Sequence, residues 1–332
     1  MGDWVTTEWY WGSRMGQFTK LSLDEARALG TDFGLDVVAL EPLAQGSVNS
    51  NFRLTDRSGQ KYFARIYEEQ GEAGALSELT LLGELARAGV PTTAPMWPKS
   101  DRVARIHGKP FAVYPWIDGE ILCQARVTPS RCRALGEGLA TLHLATSSTT
   151  PLAGGRFRVE DLRERLARVQ RESPSHRDAA LHIENRLQHY ARRRNGTLPS
   201  GVIHGDLFRD NVLWQNERIS AFIDFESASH GPFAFDVMVT VLAWCYGDAL
   251  DPELVSALIS GYASKRPLHP AEVDALVTEG ALACLRFATT RITDFSMRAS
   301  PGEPPRRDYR RFLARLEALE HGALAPILST LG

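Results

Sequence analysis

With 332 residues, 43% of them hydrophobic, the chain has enough apolar material for one large domain or two modest lobes. Its 38 basic and 40 acidic residues leave a net charge of -2 and are scattered, so no footprint for nucleic acid or an anionic lipid surface is present. Cys123, Cys132, Cys245 and Cys284 are too widely spaced to read as a zinc site or a disulfide framework. The longest apolar run, Val237 to Tyr246, is too short to span a bilayer, and the opening residues lack a basic stretch followed by an apolar core. A globular, cytoplasmic protein is expected.

In chain order, an aromatic segment (Trp4, Trp9, Tyr10, Trp11) reads as packing material. A helix follows from the capping box Ser22-Leu23-Asp24-Glu25 and is expected to end near Gly34. Strands are predicted over 37–43, 51–55, 62–67, 103–106 and 111–116, with Ser58-Gly59 as a hairpin turn. They are interrupted by a helix over 75–88 that Gly89 stops. Thr128-Pro129 supplies an N-cap and first helical residue, and from there helices dominate to the C-terminus, broken by short strands at 202–203, 212–214 and 221–223. This order predicts an α+β fold, with an N-terminal lobe over 1–117 built on a small antiparallel sheet and a larger helical lobe over 118–332.

The chemistry concentrates in Val202-Ile203-His204-Gly205-Asp206-Leu207-Phe208-Arg209-Asp210-Asn211-Val212-Leu213-Trp214, where apolar strands flank a polar loop carrying an Asp and an Asn five positions apart. A further strand, Ala221-Phe222-Ile223, delivers Asp224-Phe225-Glu226. Phosphoryl transfer asks for a carboxylate to orient the attacking hydroxyl and for oxygen ligands that hold magnesium against nucleotide phosphates. Asp206 suits the first task, while Asn211 and Asp224, with Glu226 as a further carboxylate, suit the second. His204 reads as a structural residue packing the loop. Any one of these residues alone could be an ordinary turn former; their order and spacing match the kinase catalytic loop and its metal-binding strand.

His204-Gly205-Asp206 with Asn211, Ile223-Asp224-Phe225 and the later Phe235-Asp236 resemble the aminoglycoside phosphotransferase and choline kinase family, whose fold is protein-kinase-like. Within that family, Leu207 to Leu213, Ala243-Trp244-Cys245 and Leu285-Arg286-Phe287 through Arg291-Ile292-Thr293-Asp294-Phe295 look like bacterial-type homoserine kinase. The resemblance extends over most of residues 36 to 315. It implies an ATP- and Mg2+-dependent small-molecule kinase, with the N-terminal lobe binding the nucleotide and the helical lobe carrying catalysis and substrate.

The same resemblance assigns the loop holding Gly46, Ser47, Asn49 and Asn51 to the nucleotide phosphates, although the two asparagines could instead reach an amino-acid substrate. Arg65 stands where kinases carry the strand lysine, with Glu78, or Glu72 or Glu84 in its place, as partner. The segment from Tyr114 to Trp116 is the adenine-facing strand and hinge, read through its backbone. Asp236 reads as an anchor for the catalytic loop or as a helix cap.

Homoserine as acceptor needs a cation for its carboxylate and an anion for its ammonium, which Arg286, Arg291 and Asp294 could supply. Arg291, Asp294 and Arg298 could equally be a helical ion-pair series. The same family pattern leaves aminoglycoside, choline, sugar or bacterial Ser/Thr protein kinase as alternatives, and an inactive nucleotide or metabolite sensor as a more distant one. A small-molecule hydroxyl compound is the expected partner, and nothing in the sequence sets an oligomeric state.

Overall fold

The computed structural model describes residues 19–43, 49–100, 103–145, 152, 157–194, 196–299 and 307–329. The aromatic segment at Trp4, Trp9, Tyr10 and Trp11 lies outside them, as do Gly46 and Ser47. Two compact units are present, Met1–Leu76 with Pro95–Trp116, and Ser77–Ala94 with Ile117–Gly332.

The first unit opens with α1 (Leu23–Asp32), started by a reciprocal capping box. Ser22 Oγ accepts from the Glu25 backbone N–H at 3.3 Å, and Glu25 accepts in return from the Ser22 N–H at 2.8 Å. Its sheet is antiparallel in the order β1 (Val37–Leu43), β2 (Ser50–Asp56), β3 (Lys61–Ile66), β5 (Lys109–Pro115), β4 (Ala104–Ile106). Asp56 holds the β2–β3 turn by accepting from the backbone N–H groups of Ser58 at 2.9 Å and Gln60 at 3.0 Å. His107 and Gly108 both take positive φ in the two-residue β4–β5 turn, a geometry whose twist matches the paired strands.

The period of two along these strands separates their faces. Phe52, Leu54, Ala64, Ile66, Phe111 and Val113 share one face and pack with Ala26 and Phe33 into the unit's core. Asn51, Arg65 and Ala112 stand side by side on the other. Helix α2 (Glu72–Arg87) follows β3 and ends at Gly89, whose φ of 81° lets the chain reverse.

The second unit is helical around two short ribbons. Helices α3 (Pro129–Ala145) and α7 (Pro252–Lys265) pack backbone to backbone through Gly136 and Gly261; a Cβ at either position would collide with a carbonyl of the facing helix, Leu258 or Arg133. Helices α4 (Val159–Glu172) and α5 (Arg177–Arg193) lead into β6 (Ser200–Ile203), which pairs with β9 (Ser229–Pro232). Between them, β7 (Val212–Gln215) pairs with β8 (Arg218–Phe222).

Helix α6 (Phe233–Trp244) is buried along nearly its whole length and packs against α8 (Pro270–Asp294); α9 (Arg310–Glu320) and α10 (Ala325–Leu328) close the chain. The helix expected to run through Arg298 stops at Asp294, and Arg298 stands in a separate 3-10 turn. Strand β9 was not expected because Ser229-His230-Gly231-Pro232 carries no apolar alternation. No helix among the described residues is long and apolar enough to cross a membrane.

Candidate active site

The chain leaves β6 at Ile203 and enters a loop that returns to β7 at Val212. Gly205 makes the first bend with φ of 74°, and a Cβ there would come within 2.9 Å of the Ser227 carbonyl oxygen. Glycine is therefore required both by conformation and by space. Asp236, fully buried on α6, fixes this bend by accepting from the backbone N–H groups of His204 and Gly205, each at 2.8 Å.

Further along, the Phe208 N–H donates to the Asp206 carbonyl at 2.7 Å, and a 3-10 turn brings Asn211 back so that its Nδ2 donates to the same carbonyl at 2.7 Å. Since a carbonyl only accepts, that bond fixes which amide atom is nitrogen and leaves Oδ1 as the atom able to ligate a cation. The Ile223 N–H donates to the Asn211 carbonyl at 3.0 Å, which brings the end of β8 to the loop. Asp224 follows in the left-handed region (φ 64°, ψ 66°), a conformation Asp tolerates at a cost and one that collects at functional sites. Asp206, Asn211 and Asp224 are thus carried by one end of the β7–β8 ribbon and the loop entering it.

His204 is the internal brace. Its Nε2–H donates to the Ile223 carbonyl at 3.1 Å, its Nδ1 accepts from the Asp206 N–H at 3.3 Å, and its ring lies 4.6 Å from that of Phe225. Burial depresses its proton affinity, so one neutral tautomer ties the Asp206 loop to the strand that delivers Asp224.

The anchor Asp236 is itself held from behind. His143 on α3, fully enclosed and kept neutral by that burial, donates Nε2–H to Asp236 at 3.1 Å. Its Nδ1 accepts from the Tyr262 hydroxyl at 2.7 Å. Arg266 donates to the Tyr262 oxygen at 3.1 Å and to Glu272 at 3.0 Å; because the Asp236 carboxylate can only accept, neutral His143 donates through Nε2 and accepts through Nδ1. Burial alone would raise Asp236, but the hydrogen bond from neutral His143, with the backbone donors, holds it as a carboxylate below its ordinary value.

Asp206 has the opposite balance. Its side chain keeps 30% exposure, yet burial of the carboxyl, with Asp224 and Asp210 nearby, pushes it up to about 7 against the pull of Arg286 and Arg307. Arg286, 4% exposed on α8, places Nη1 3.7 Å from Asp206 Oδ1. Its guanidinium donates to the Gly205 carbonyl and, at 3.3 Å, to Ser227 Oγ, between the rings of Phe157 and Phe287 at 4.3 and 4.2 Å. These bonds hold the loop that carries Asp206.

The other residues expected to bind substrate are separated. Arg291 donates to the Asp308 carbonyl at 2.9 Å over the Phe312 ring, while Asp294 pairs with Arg165 of α4 at 2.8 Å. The expected helical series of Arg291, Asp294 and Arg298 does not form, because the helix ends and Asp294 turns to α4.

In the first unit, Asn49 accepts from the Glu68 N–H at 3.1 Å, and Asn51 accepts from Arg65 Nε at 3.3 Å. Tyr114 is buried, its hydroxyl 3.0 Å from that of Tyr67, and Trp116 lies under Arg53 with the guanidinium carbon 5.7 Å from the ring centroid. Glu78 is buried on α2, in the second unit, whereas Arg65 belongs to the first. Glu226 is half-buried in the 3-10 turn after Asp224.

A carboxylate, an amide oxygen and a neighbouring second carboxylate are hard oxygen donors, the set that suits Mg2+ when nucleotide phosphates and water complete its shell. Sequence reasoning missed the supports His143, Tyr262 and Phe157 and the ion pair between Asp210 and Arg307 at 2.8 Å. His143, Tyr262, Phe157 and Arg307 carry no motif, and each meets the site from far along the chain.

The phosphotransferase enzyme family model matches residues 39–276. Homoserine kinase from Methylocella silvestris is 33% identical over 287 residues, covering 85% of this chain and 88% of that protein. Homoserine kinase from Caulobacter vibrioides is 34% identical over 302 residues, covering 85% and 90%.

Among solved structures, amicoumacin kinase hAmiN in complex with AMP-PNP, Ca2+ and Ami aligns with a TM-score of 0.68 at 18% identity, covering 90% of this chain and 93% of that one. A choline/ethanolamine kinase family protein from Mesorhizobium loti aligns at 0.62 with 19% identity, covering 93% and 98%. The α+β, protein-kinase-like fold expected from the sequence is the fold observed.

Proposed function

The chain belongs to the phosphotransferase enzyme family and is an ATP-dependent phosphotransferase acting on a hydroxyl; from that premise we propose that its acceptor is L-homoserine and its product O-phosphohomoserine, a step of threonine biosynthesis. The observation that supports this acceptor is identity of 33–34% to homoserine kinases over 85% of the chain. Asp206 is the residue assigned to the acceptor. Its carboxylate receives the hydrogen bond of the attacking hydroxyl and aims the oxygen at the γ-phosphorus, and a carboxyl pushed up to about 7 is basic enough to take the proton as the new bond forms.

Asn211 Oδ1 and Asp224, with Glu226 beside them, would hold Mg2+, which when bound supplies positive charge to the nucleotide phosphates. Asp236, His204 and Arg286 keep the loop in one conformation, so that little reorganisation remains when the acceptor arrives. On the first unit, Arg65 and the loop carrying Gly46, Ser47, Asn49 and Asn51 are assigned to the phosphates, and the backbone from Tyr114 to Trp116 to adenine.

The test is incubation with ATP, Mg2+ and an equimolar mixture of homoserine, choline, an aminoglycoside and a sugar, followed by mass analysis of the products. Phosphohomoserine as the dominant product is the expected result. A different phosphorylated acceptor would replace homoserine in this reading, and absence of any phosphoryl transfer would end it.

A further inference from the structure

A four-carbon amino acid is short, so whatever reads its charged end must lie within a few ångströms of the residue that receives its hydroxyl. Arg286 is close to Asp206, but its donors are committed to Gly205 and Ser227 and it is 4% exposed. Asp294 is engaged with Arg165. Among the described residues, one further ion pair acts on the Asp206 carboxyl and has no evident structural task. Asp210, four residues on in the same loop, meets Arg307 at 2.8 Å, and both side chains are about half exposed, 48% and 50%.

A lone pair of this exposure contributes at most about 1 kcal/mol to stability. Arg307 is nonetheless set in place, its guanidinium carbon 5.4 Å from the centroid of the Phe295 ring. A second observation concerns charge. Arg291, half-buried and donating to the Asp308 backbone carbonyl, adds its charge to that of Arg307. Its proton affinity is pulled down to about 10 by burial and by the like charges of Arg307, Arg315 and Arg311. Such a field disfavours an additional cation and favours an anion.

Resting on the assignment of homoserine as acceptor, we propose that Asp210 and Arg307 together read the zwitterionic end of the substrate. Arg307 takes the carboxylate in the positive field of Arg291, and Asp210 takes the ammonium. In the free protein each side chain occupies the other's place, so the pair stays solvated and charged until the zwitterion inserts between its members. An acceptor lacking one of the two charges then leaves one member unanswered, and that mismatch is the source of discrimination.

The experiment compares homoserine with 3-amino-1-propanol, which lacks the carboxylate, and 4-hydroxybutanoate, which lacks the ammonium. They are assayed as acceptors or, where turnover is too slow, as competitive inhibitors against homoserine. Arg307→Gln should lower kcat/KM for homoserine by roughly tenfold to a hundredfold and leave the constant for 3-amino-1-propanol unchanged, as expected for loss of one charge-assisted contact. Asp210→Asn should do the same with 4-hydroxybutanoate as the insensitive compound.

KM for ATP should stay at the wild-type value in both variants. Uniform loss across the three compounds, or no loss for homoserine, overturns the proposal. If the wild-type protein does not phosphorylate homoserine, the parent assignment fails and takes this one with it; homoserine turnover with unchanged discrimination in the variants sinks this one alone.

Discussion

Replacing Asp236 by Asn tests how the loop carrying Asp206 is held. Three N–H donors converge on its carboxylate, from His204 and Gly205 at 2.8 Å and from His143 at 3.1 Å, inside a fully buried site. Asparagine keeps one oxygen and turns an NH2 group toward the remaining donor, so at least one buried N–H loses its acceptor at a cost of about 1–3 kcal/mol. The bonds that survive lose their charge assistance, which brings the expected loss to about 3–5 kcal/mol, the range for breaking a buried charged contact.

Urea unfolding read by tryptophan fluorescence gives that difference directly. Because the anchored groups adjoin Asp206, kcat should fall at least tenfold in whatever fraction remains folded, with the affinity for ATP less affected. Tyr262→Phe offers a milder form of the same test, removing the donor to His143 Nδ1 and the acceptor of Arg266 for about 1–3 kcal/mol. Loss of less than about 1 kcal/mol in Asp236→Asn, with kcat unchanged, would refute the anchoring account.

Gly205→Ala should cost more than the ordinary penalty of about 1–2 kcal/mol for a left-handed alanine, because its Cβ also meets the Ser227 carbonyl; chemical denaturation and kcat should both register it. Glu68 accepts from Thr19, Ser50 and Lys109, and although burial opposes it, these donors hold it at about 2, below its ordinary 4.5. The stabilisation is full above pH 4.5 and is lost as pH falls toward 2, so Glu68→Gln should be less stable at neutral pH by about 3 kcal/mol and should show a flatter acid limb.

Asp206 works in reverse. Burial raises it from 3.8 to about 7, so its ionisation destabilises the nucleotide-free protein increasingly as pH rises through that interval. Asp206→Asn should therefore raise Tm at pH 8 and leave it unchanged at pH 3, by less than the full shift implies, since 30% of the side chain meets water.

The antiparallel sheet was legible because its strands alternate on the period that sorts Phe52, Leu54, Ala64 and Ile66 to one face. The juxtaposition of Asp206 and Asn211 was legible because it is local: they are five residues apart and hydrogen-bond across that spacing. Supports of the loop were not, because they are contacts between distant parts of the chain. His143 meets Asp236 across 93 positions, Arg286 meets Gly205 across 81, and Asp210 meets Arg307 across 97.

Asp294 shows the converse difficulty. Its spacing from Arg291 is right for a helical pair, but the helix ends there and Arg165, 129 residues away, takes the carboxylate. Local periodicity reports which residues share a face; it carries no information about which distant helix packs against that face.

The most direct measurement compares phosphoryl transfer and nucleotide binding in the wild-type protein, Asp206→Asn and Asp224→Ala, at saturating homoserine and Mg2+. The account predicts that Asp206→Asn loses turnover by orders of magnitude while its calorimetric affinity for ATP stays near wild type, and that Asp224→Ala loses productive binding of the metal–nucleotide complex. Full turnover in either variant would contradict it.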